Sequence, residues 1–132
     1  MILDTHAWVF YATGKALEKR ALRRIDRARA DGRLHVAAVT LWEVALLVQE
    51  RKLRFSQPVG EWFRDALKRT EARVAPLDAG TAIEGARLFR ALRDLADCQI
   101  VGTALYLGVP LATRDARILE NSKALGLDVV EI

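Results

Sequence analysis

The sequence is poor in the residues that staple or punctuate a chain. Its 132 residues include one cysteine, three prolines and eight glycines. A single thiol excludes an intramolecular disulfide, and no Cys-x-x-Cys or Cys/His cluster offers a structural zinc site. This is the cysteine usage of a cytosolic protein, so a cytoplasmic location is expected. So few prolines and glycines exclude long flexible linkers. No apolar run approaches the roughly 18 residues of a membrane span, and no membrane association is expected. No leader is expected either, because Asp4 interrupts the first apolar residues and no basic stretch precedes them. Cys98 lies far from both ends, which argues against a terminal lipid anchor.

What is present is enough for a real core. Hydrophobic residues make up 52% of the chain and charged ones 29%, which excludes a disordered tail. A chain of this length reads as one domain, residues 1–132, burying roughly two-thirds of the surface its unfolded form exposes. The net charge of +4 is unevenly spread. Residues 15–33 hold eight basic and three acidic groups, which leaves thirteen basic and fourteen acidic groups elsewhere. Such a basic segment suits a polyanion such as nucleic acid, or equally an acidic protein partner; a solvated arginine-rich helix face is the alternative.

Short β-like runs alternate with longer helical ones, without repeats or low-complexity segments. Strands are expected at Met1–Leu3, Leu34–Val39, Val74–Leu77, Val109–Thr113 and Asp128–Ile132. Lys15–Asp31 predicts a helix, with Leu17, Ala21, Leu22, Ile25 and Ala28 forming its apolar stripe. Further helices are expected over Leu41–Leu53, over Glu61–Thr70 after Pro58, from an N-cap at Asp78 to Leu92, over Ala96–Leu107 and after Asp115. Gly108 supplies a stop for the helix before it. Strands separated by helices imply an α/β fold with a parallel sheet covered on both faces.

In such sheets ligands bind beyond the carboxyl ends of the strands. Asp4 follows the first strand, Thr40 and Glu43 the second, and Thr113, Arg114 and Asp115 the fourth. Asp94 and Asp97 open the helix leading into that fourth strand. Each acid also has a structural reading. Thr40 and Glu43 fit a capping box, in which each side chain satisfies the other's backbone donor. Asp94, Asp97 and Asp115 are each placed to cap a helix. Asp4 is harder to explain so, because a carboxylate sitting directly after Ile2-Leu3 needs a partner or a cation. Carboxylates converging on a small volume repel one another unless protons or cations compensate. An oxygen-only donor set favours Mg2+ or Mn2+ over zinc. Such ions commonly act on phosphate esters.

These residues carry a resemblance. Leu3-Asp4-Thr5-His6, Thr40-Leu-Trp-Glu43-Val-Ala, Asp97-Cys-Gln-Ile-Val-Gly-Thr-Ala104 and Thr113-Arg-Asp115, in that order along the whole chain, resemble the PIN-domain ribonucleases. The closer likeness is to the VapC-type toxins of prokaryotic toxin–antitoxin pairs. The resemblance implies a three-layer α/β/α domain with a central parallel sheet of 4–5 strands, metal-dependent endoribonuclease activity, a homodimer, and a cognate antitoxin that blocks the acidic pocket. It places the family's four acids on Asp4, Glu43, Asp97 and Asp115, and a hydroxyl near the metal on Thr113. Asp94 then falls to a helix-start or supporting position. The chain departs from the family at Cys98, where arginine is frequent, and at Gly102, where alanine is frequent.

The expected chemistry is hydrolysis of an RNA phosphodiester by metal-activated water. Asp4, Asp97 and Asp115 would hold Mg2+ or Mn2+, and Glu43 would hold it or orient a water. Thr5 and Thr113 are hydroxyl donors toward water or phosphate, or else simply close strand ends. Arg114 and Arg117 flank the fourth acid and face either phosphates or solvent. His6 reads as a packed or locally bonded histidine rather than a substrate contact, Cys98 as a packed thiol rather than a nucleophile. Trp8, Trp42 and Trp62 read as core or interface residues. A haloacid-dehalogenase-like phosphatase would need a second aspartate at position 6, which is histidine. A PIN-like module that only binds RNA or a partner is the alternative to an active enzyme.

Overall fold

The computed structural model describes all residues, Met1–Ile132. The chain runs β1 (Ile2–Leu3), α1 (Thr5–Thr13), α2 (Lys19–Ala30), β2 (His35–Ala37), α3 (Ala38–Gln49), α4 (Val59–Thr70), β3 (Arg73–Ala75), α5 (Ala79–Arg87), α6 (Phe89–Leu92), α7 (Leu95–Leu107), β4 (Leu111–Thr113), α8 (Ala116–Leu125) and β5 (Val129–Glu131). The five strands form one sheet in the order β3-β2-β1-β4-β5, and every pair is parallel. In the shared register Ile2 stands opposite both His35 and Leu111, and Leu3 opposite Val36 and Ala112.

The central strand explains the layering. Successive side chains point to opposite faces of a sheet. Leu3 joins a core with Val36 of β2 and with Trp8, Ile25, Val44 and Trp62, drawn from α1, α2, α3 and α4. Ile2 joins a second core with Leu88, Leu92, Ile100, Val101 and Ile118, drawn from α5 to α8 and the segments between them. Both residues are fully buried, so β1 has no polar face. Within the first core Trp62 stacks on Phe55 at 4.0 Å and meets Trp8 edge-on at 5.1 Å. Trp8 and Trp62 are thus core residues as expected, whereas Trp42 is exposed on α3.

Helix α1 was not legible in the sequence. Its run Thr-His-Ala-Trp-Val-Phe-Tyr-Ala-Thr shows no helical periodicity, because Ala7, Trp8, Val9 and Ala12 are buried on several sides. A helix buried all round has no polar stripe to reveal it. It is bounded chemically instead: the Ala7 N–H donates to Asp4 Oδ1 at 2.6 Å, and Gly14 ends it at φ +72°. Other bounds shift for local reasons. Helix α2 starts at Lys19 rather than Lys15, because the Glu18 carboxylate caps it through the Arg20 and Ala21 N–H groups. The segment expected as one helix from Asp78 to Leu92 breaks at Leu88 into α5 and α6. β2 ends at Ala37, and α3 leaves it at once.

Gly102 has a packing reason. A Cβ there would lie 2.5 Å from the backbone nitrogen of Gly85 and 2.7 Å from its Cα. Only the missing side chain lets α7 lie this close to α5. That contact fixes the helix whose first turn carries Asp97.

Candidate functional site

The central strand β1 has β2 on one side and β4 on the other, so the chain changes winding direction beside it. The carboxyl ends of strands at such a point are where open parallel sheets bind ligands. Asp4 stands there, as the residue between β1 and α1. Its N–H donates to the Ala112 carbonyl of β4 at 3.0 Å, and it is 6% exposed. Burial raises its pKa above the ordinary aspartate value, against the lowering effect of the Ala7 N–H, the Thr113 hydroxyl and His6.

Glu43 comes from α3, and here the expected capping box is not formed. Because α3 begins at Ala38, Thr40 lies inside the first turn and cannot be the cap; Ala37 holds that position with no side-chain bond. Thr40 is fully buried and its hydroxyl has no partner. Glu43 is therefore free of backbone duty, and its Oε2 accepts a hydrogen bond from the Thr5 hydroxyl across the site.

Asp94 and Asp97 divide their labour. Asp94 is the N-cap of α7 and accepts the Asp97 N–H at 3.0 Å, as a helix-start residue should. Asp97 caps nothing. It is half-buried in the first turn, and its pKa is pushed up to about 7. Burial is the largest cause, followed by the negative charges of Asp94, Asp115, Glu43 and Asp4. Asp97 thus feels the charge of the other four acids. Asp115 completes the set from the end of β4: it caps α8 through the Ile118 N–H at 3.0 Å, and its own N–H donates to the Thr113 hydroxyl at 3.0 Å.

None of these acids is neutralised by a basic side chain. The ion pairs of the structure are Arg24–Asp128, Arg29–Glu71, Arg33–Asp31, Lys52–Glu50 and Arg87–Glu84. Crowded carboxylates without counter-charges, presenting oxygen donors only, match the needs of a hard divalent cation. No three of the groups already stand close enough to form a finished ion cage. An arriving cation would have to draw them inward against their mutual repulsion.

The remaining expected residues sort by contact. Arg117 donates to the Leu92 carbonyl at 2.6 Å and so holds the end of α6. Arg114 is exposed, with its guanidinium 5.7 Å from the Phe10 ring centre. His6 is exposed and stands edge-on to Phe10 at 6.1 Å. Cys98 is buried in the second core, and burial together with Asp97 and Asp94 pushes its thiol pKa up, which suits packing and not nucleophilic attack. The sequence reading missed Phe10, which gathers His6, Lys15 and Arg114 around its ring. The signal was the four-residue spacing from His6 to Phe10, invisible without α1.

Comparison with known proteins agrees with this architecture. A family model described as PIN domain matches residues 1–124. The chain is 29% identical over 120 residues to Ribonuclease VapC22 of Mycobacterium tuberculosis, covering 89% of this chain and 88% of that one. Among solved structures, VapBC2 from Rickettsia felis bound to a DNA fragment from its promoter superposes with a TM-score of 0.71 at 14% identity, covering 99% of this chain and 97% of that one. DNA-bound VapBC from Salmonella typhimurium gives 0.70 at 20% identity, covering 98% and 96%. These two likenesses are of fold. With the family model spanning nearly its full length over a five-stranded parallel sheet, the chain belongs to the PIN domain family.

Proposed function

We propose that the protein is an endoribonuclease that hydrolyses RNA phosphodiester bonds with Mg2+ or Mn2+, and that it serves as the toxin of a type II toxin–antitoxin pair. The observation that carries the reading is the set of acids at the end of the central strands, mutually repelling and paired with no basic residue. Asp97 caps nothing, so its carboxyl is free to meet a ligand. The name of the relative VapC22, a ribonuclease, supports the activity. A fold neighbour described as a toxin–antitoxin complex from Klebsiella pneumoniae, with a TM-score of 0.61, supports the biological setting.

Asp4, Asp97 and Asp115 would hold the ion, and Glu43 would hold it or orient a water. A bound divalent cation supplies two things: it lowers the pKa of water and it offsets the charge building on the phosphate. The chain's own groups do the rest. Asp97, with its pKa pushed up to about 7, would hold the ion in its ionised form. Glu43 is fixed by the Thr5 hydroxyl, and Thr113 positions Asp115 through its N–H while lying beside Asp4. Arg114, exposed next to Asp115, meets the phosphate chain. Water adds to phosphorus and loses a proton while the bond to the 3′ oxygen breaks and that oxygen takes up a proton, which leaves a 5′-phosphate and a 3′-hydroxyl and needs no 2′-hydroxyl.

The partners of the proposal are RNA, a cognate antitoxin covering the acidic pocket, and a second copy of the chain. Ile83 on α5, Leu95 and Tyr106 on α7 and Phe89 on α6 are each more than half exposed, which supports a homodimer through that layer. No helix is long and apolar enough to cross a membrane. The test is incubation of antitoxin-free protein with total RNA in Mg2+, in Mn2+ and in EDTA, followed by mapping of the cut ends. Cleavage with either ion, none in EDTA, and 5′-phosphate ends are expected. Cleavage that persists in EDTA, or 2′,3′-cyclic ends, overturns the mechanism.

A further inference from the structure

A cavity of about 350 Å³ opens against α1, next to the acids. That is within the size range of small-ligand pockets, ~300–1,000 Å³. Val9, Phe10, Leu47 and Leu53 form its apolar walls. Thr5, His6 and Lys52 supply its polar groups. Thr5 belongs to both places, since it lines the cavity and its hydroxyl donates to Glu43. Whatever fills the cavity therefore lies one side chain away from the acids. The rim is cationic: Lys15 Nζ stands 4.1 Å from the Phe10 ring centre, and the Arg114 guanidinium lies at 5.7 Å.

We propose that this cavity takes one nucleobase of the RNA beside the cleaved phosphate and so sets a base preference at the cut. The inference rests on the endoribonuclease reading and names its substrate contact. A nucleobase is apolar on its faces and polar at its edge. The apolar walls meet the faces, while His6 stands at the edge, the Thr5 oxygen, its proton given to Glu43, accepts there, and Lys52 adds its charge from an exposed pair with Glu50. Lys15 and Arg114 stand where the flanking phosphates pass. An apolar side chain of a protein partner would account for the walls, but it would leave this cationic rim without a counterpart.

The test is binding in EDTA, where no cutting occurs, of short fluorescein-labelled oligo-A, oligo-C and oligo-U to the full chain, read by anisotropy. Discrimination of at least about fivefold between the best and worst base is expected. His6→Ala changes an exposed residue and should preserve the fold, and Leu53→Trp fills the cavity; circular dichroism checks both. Each should bring the three affinities to within about twofold of one another, and each should raise KM most for RNA carrying the preferred base. Wild-type protein that binds all three equally, or variants that keep wild-type discrimination, overturn the proposal. Variants that lose only antitoxin binding assign the cavity to a protein partner and also overturn it. Asp97→Asn separates the two readings: it should keep base discrimination while losing all cutting. If wild-type protein discriminates bases yet cuts nothing, the nuclease reading fails and the cavity assignment stands. If it cuts RNA without base preference, the reverse holds. No RNA binding at all defeats both.

Discussion

The arginines along α2 and the acids at the ends of β1 and β4 are both crowds of like charge, but they are neutralised differently. On and beside α2, Arg24 meets Asp128 at 3.1 Å, Arg29 meets Glu71 at 2.7 Å, and Arg33 meets Asp31 at 2.8 Å. These pairs lie at the surface, where water also screens them. At the strand ends no acid has a basic partner, Asp4 is buried, and Asp97 is held near a pKa of about 7 by burial first and by its acidic neighbours second. The first arrangement dissipates part of its charge within the chain, through Arg24 and Arg29 on the helix and Arg33 beyond it. The second retains it, which is of use only toward something that arrives from outside. Density of charge in sequence marks both regions; only the pairing tells them apart.

The sharpest way to break this comparison is to neutralise an acid. Asp4→Asn and Asp97→Asn should each lower cleavage by more than about a hundredfold while circular dichroism remains that of the wild type. Full cleavage by both variants would reduce the acid cluster to a set of helix caps. Asp4→Asn keeps an Oδ1 acceptor for the Ala7 N–H that starts α1, so the cap should survive the loss of charge.

A middle-sized effect concerns pH. The Asp97 carboxyl has a folded pKa raised above its unfolded value, so the folded state holds that proton more tightly. Its ionisation therefore costs stability as pH rises from about 4, the unfolded value, to about 7, the folded one. Metal-free wild-type protein should lose Tm across that window, and Asp97→Asn should lose less, since Asp4, also raised by burial, still titrates. Above pH 7 the variant should melt roughly 3 °C higher, the size of a ~1 kcal/mol effect after solvent screening of a half-exposed group is allowed for. Saturating Mg2+ should raise the wild-type Tm and leave the variant nearly unmoved. A wild-type Tm that is flat over the window would mean that the acids do not feel one another.

Thr5→Val should be smaller still. It deletes the hydroxyl bonded to Glu43 while nearly keeping side-chain volume. A loss of about tenfold in kcat, with a shifted pH profile, is expected if Glu43 must be held in place. A loss confined to Tm would give Thr5 a packing role only.

How much of this the sequence could show depends on where each signal is encoded. Asp4, Asp97 and Asp115 were legible because they directly follow apolar strand runs or open a helix, and both are local patterns. Asp78 and Gly108 were legible as helix ends for the same reason. Glu43 was legible as a member of the acid set, but its freedom was not. The Thr40–Glu43 capping box fits the sequence, yet the helix start is set by α3 leaving β2 at Ala37, a matter of tertiary packing. The Thr5–Glu43 bond joins residues 38 positions apart and has no local trace. Helix α1 hid because burial on several sides erased its periodicity, and with it went the grouping of His6, Phe10 and Lys15. Arg117 was readable only as facing phosphates or solvent, and its bond to the Leu92 carbonyl, 25 residues away, has no local trace.

The smallest effects belong to α2, and they test the other half of the comparison. Arg29→Ala and Glu71→Ala each remove one member of an exposed pair, so Tm should move by no more than about 2 °C in either case. Arg20, Arg23 and Arg27 differ from Arg24 and Arg29 in belonging to none of the ion pairs. If that unspent charge meets RNA, replacing the three by alanine should lower the slope of log affinity against log salt by up to about 2, at about 0.7 for each single-strand phosphate that is no longer neutralised. Replacing Arg24 and Arg29 instead should change the slope much less, because their charge is already engaged with Asp128 and Glu71. An equal change from both sets would show that in-chain pairing does not withdraw an exposed arginine from RNA. The contrast with the acids would then rest on burial alone.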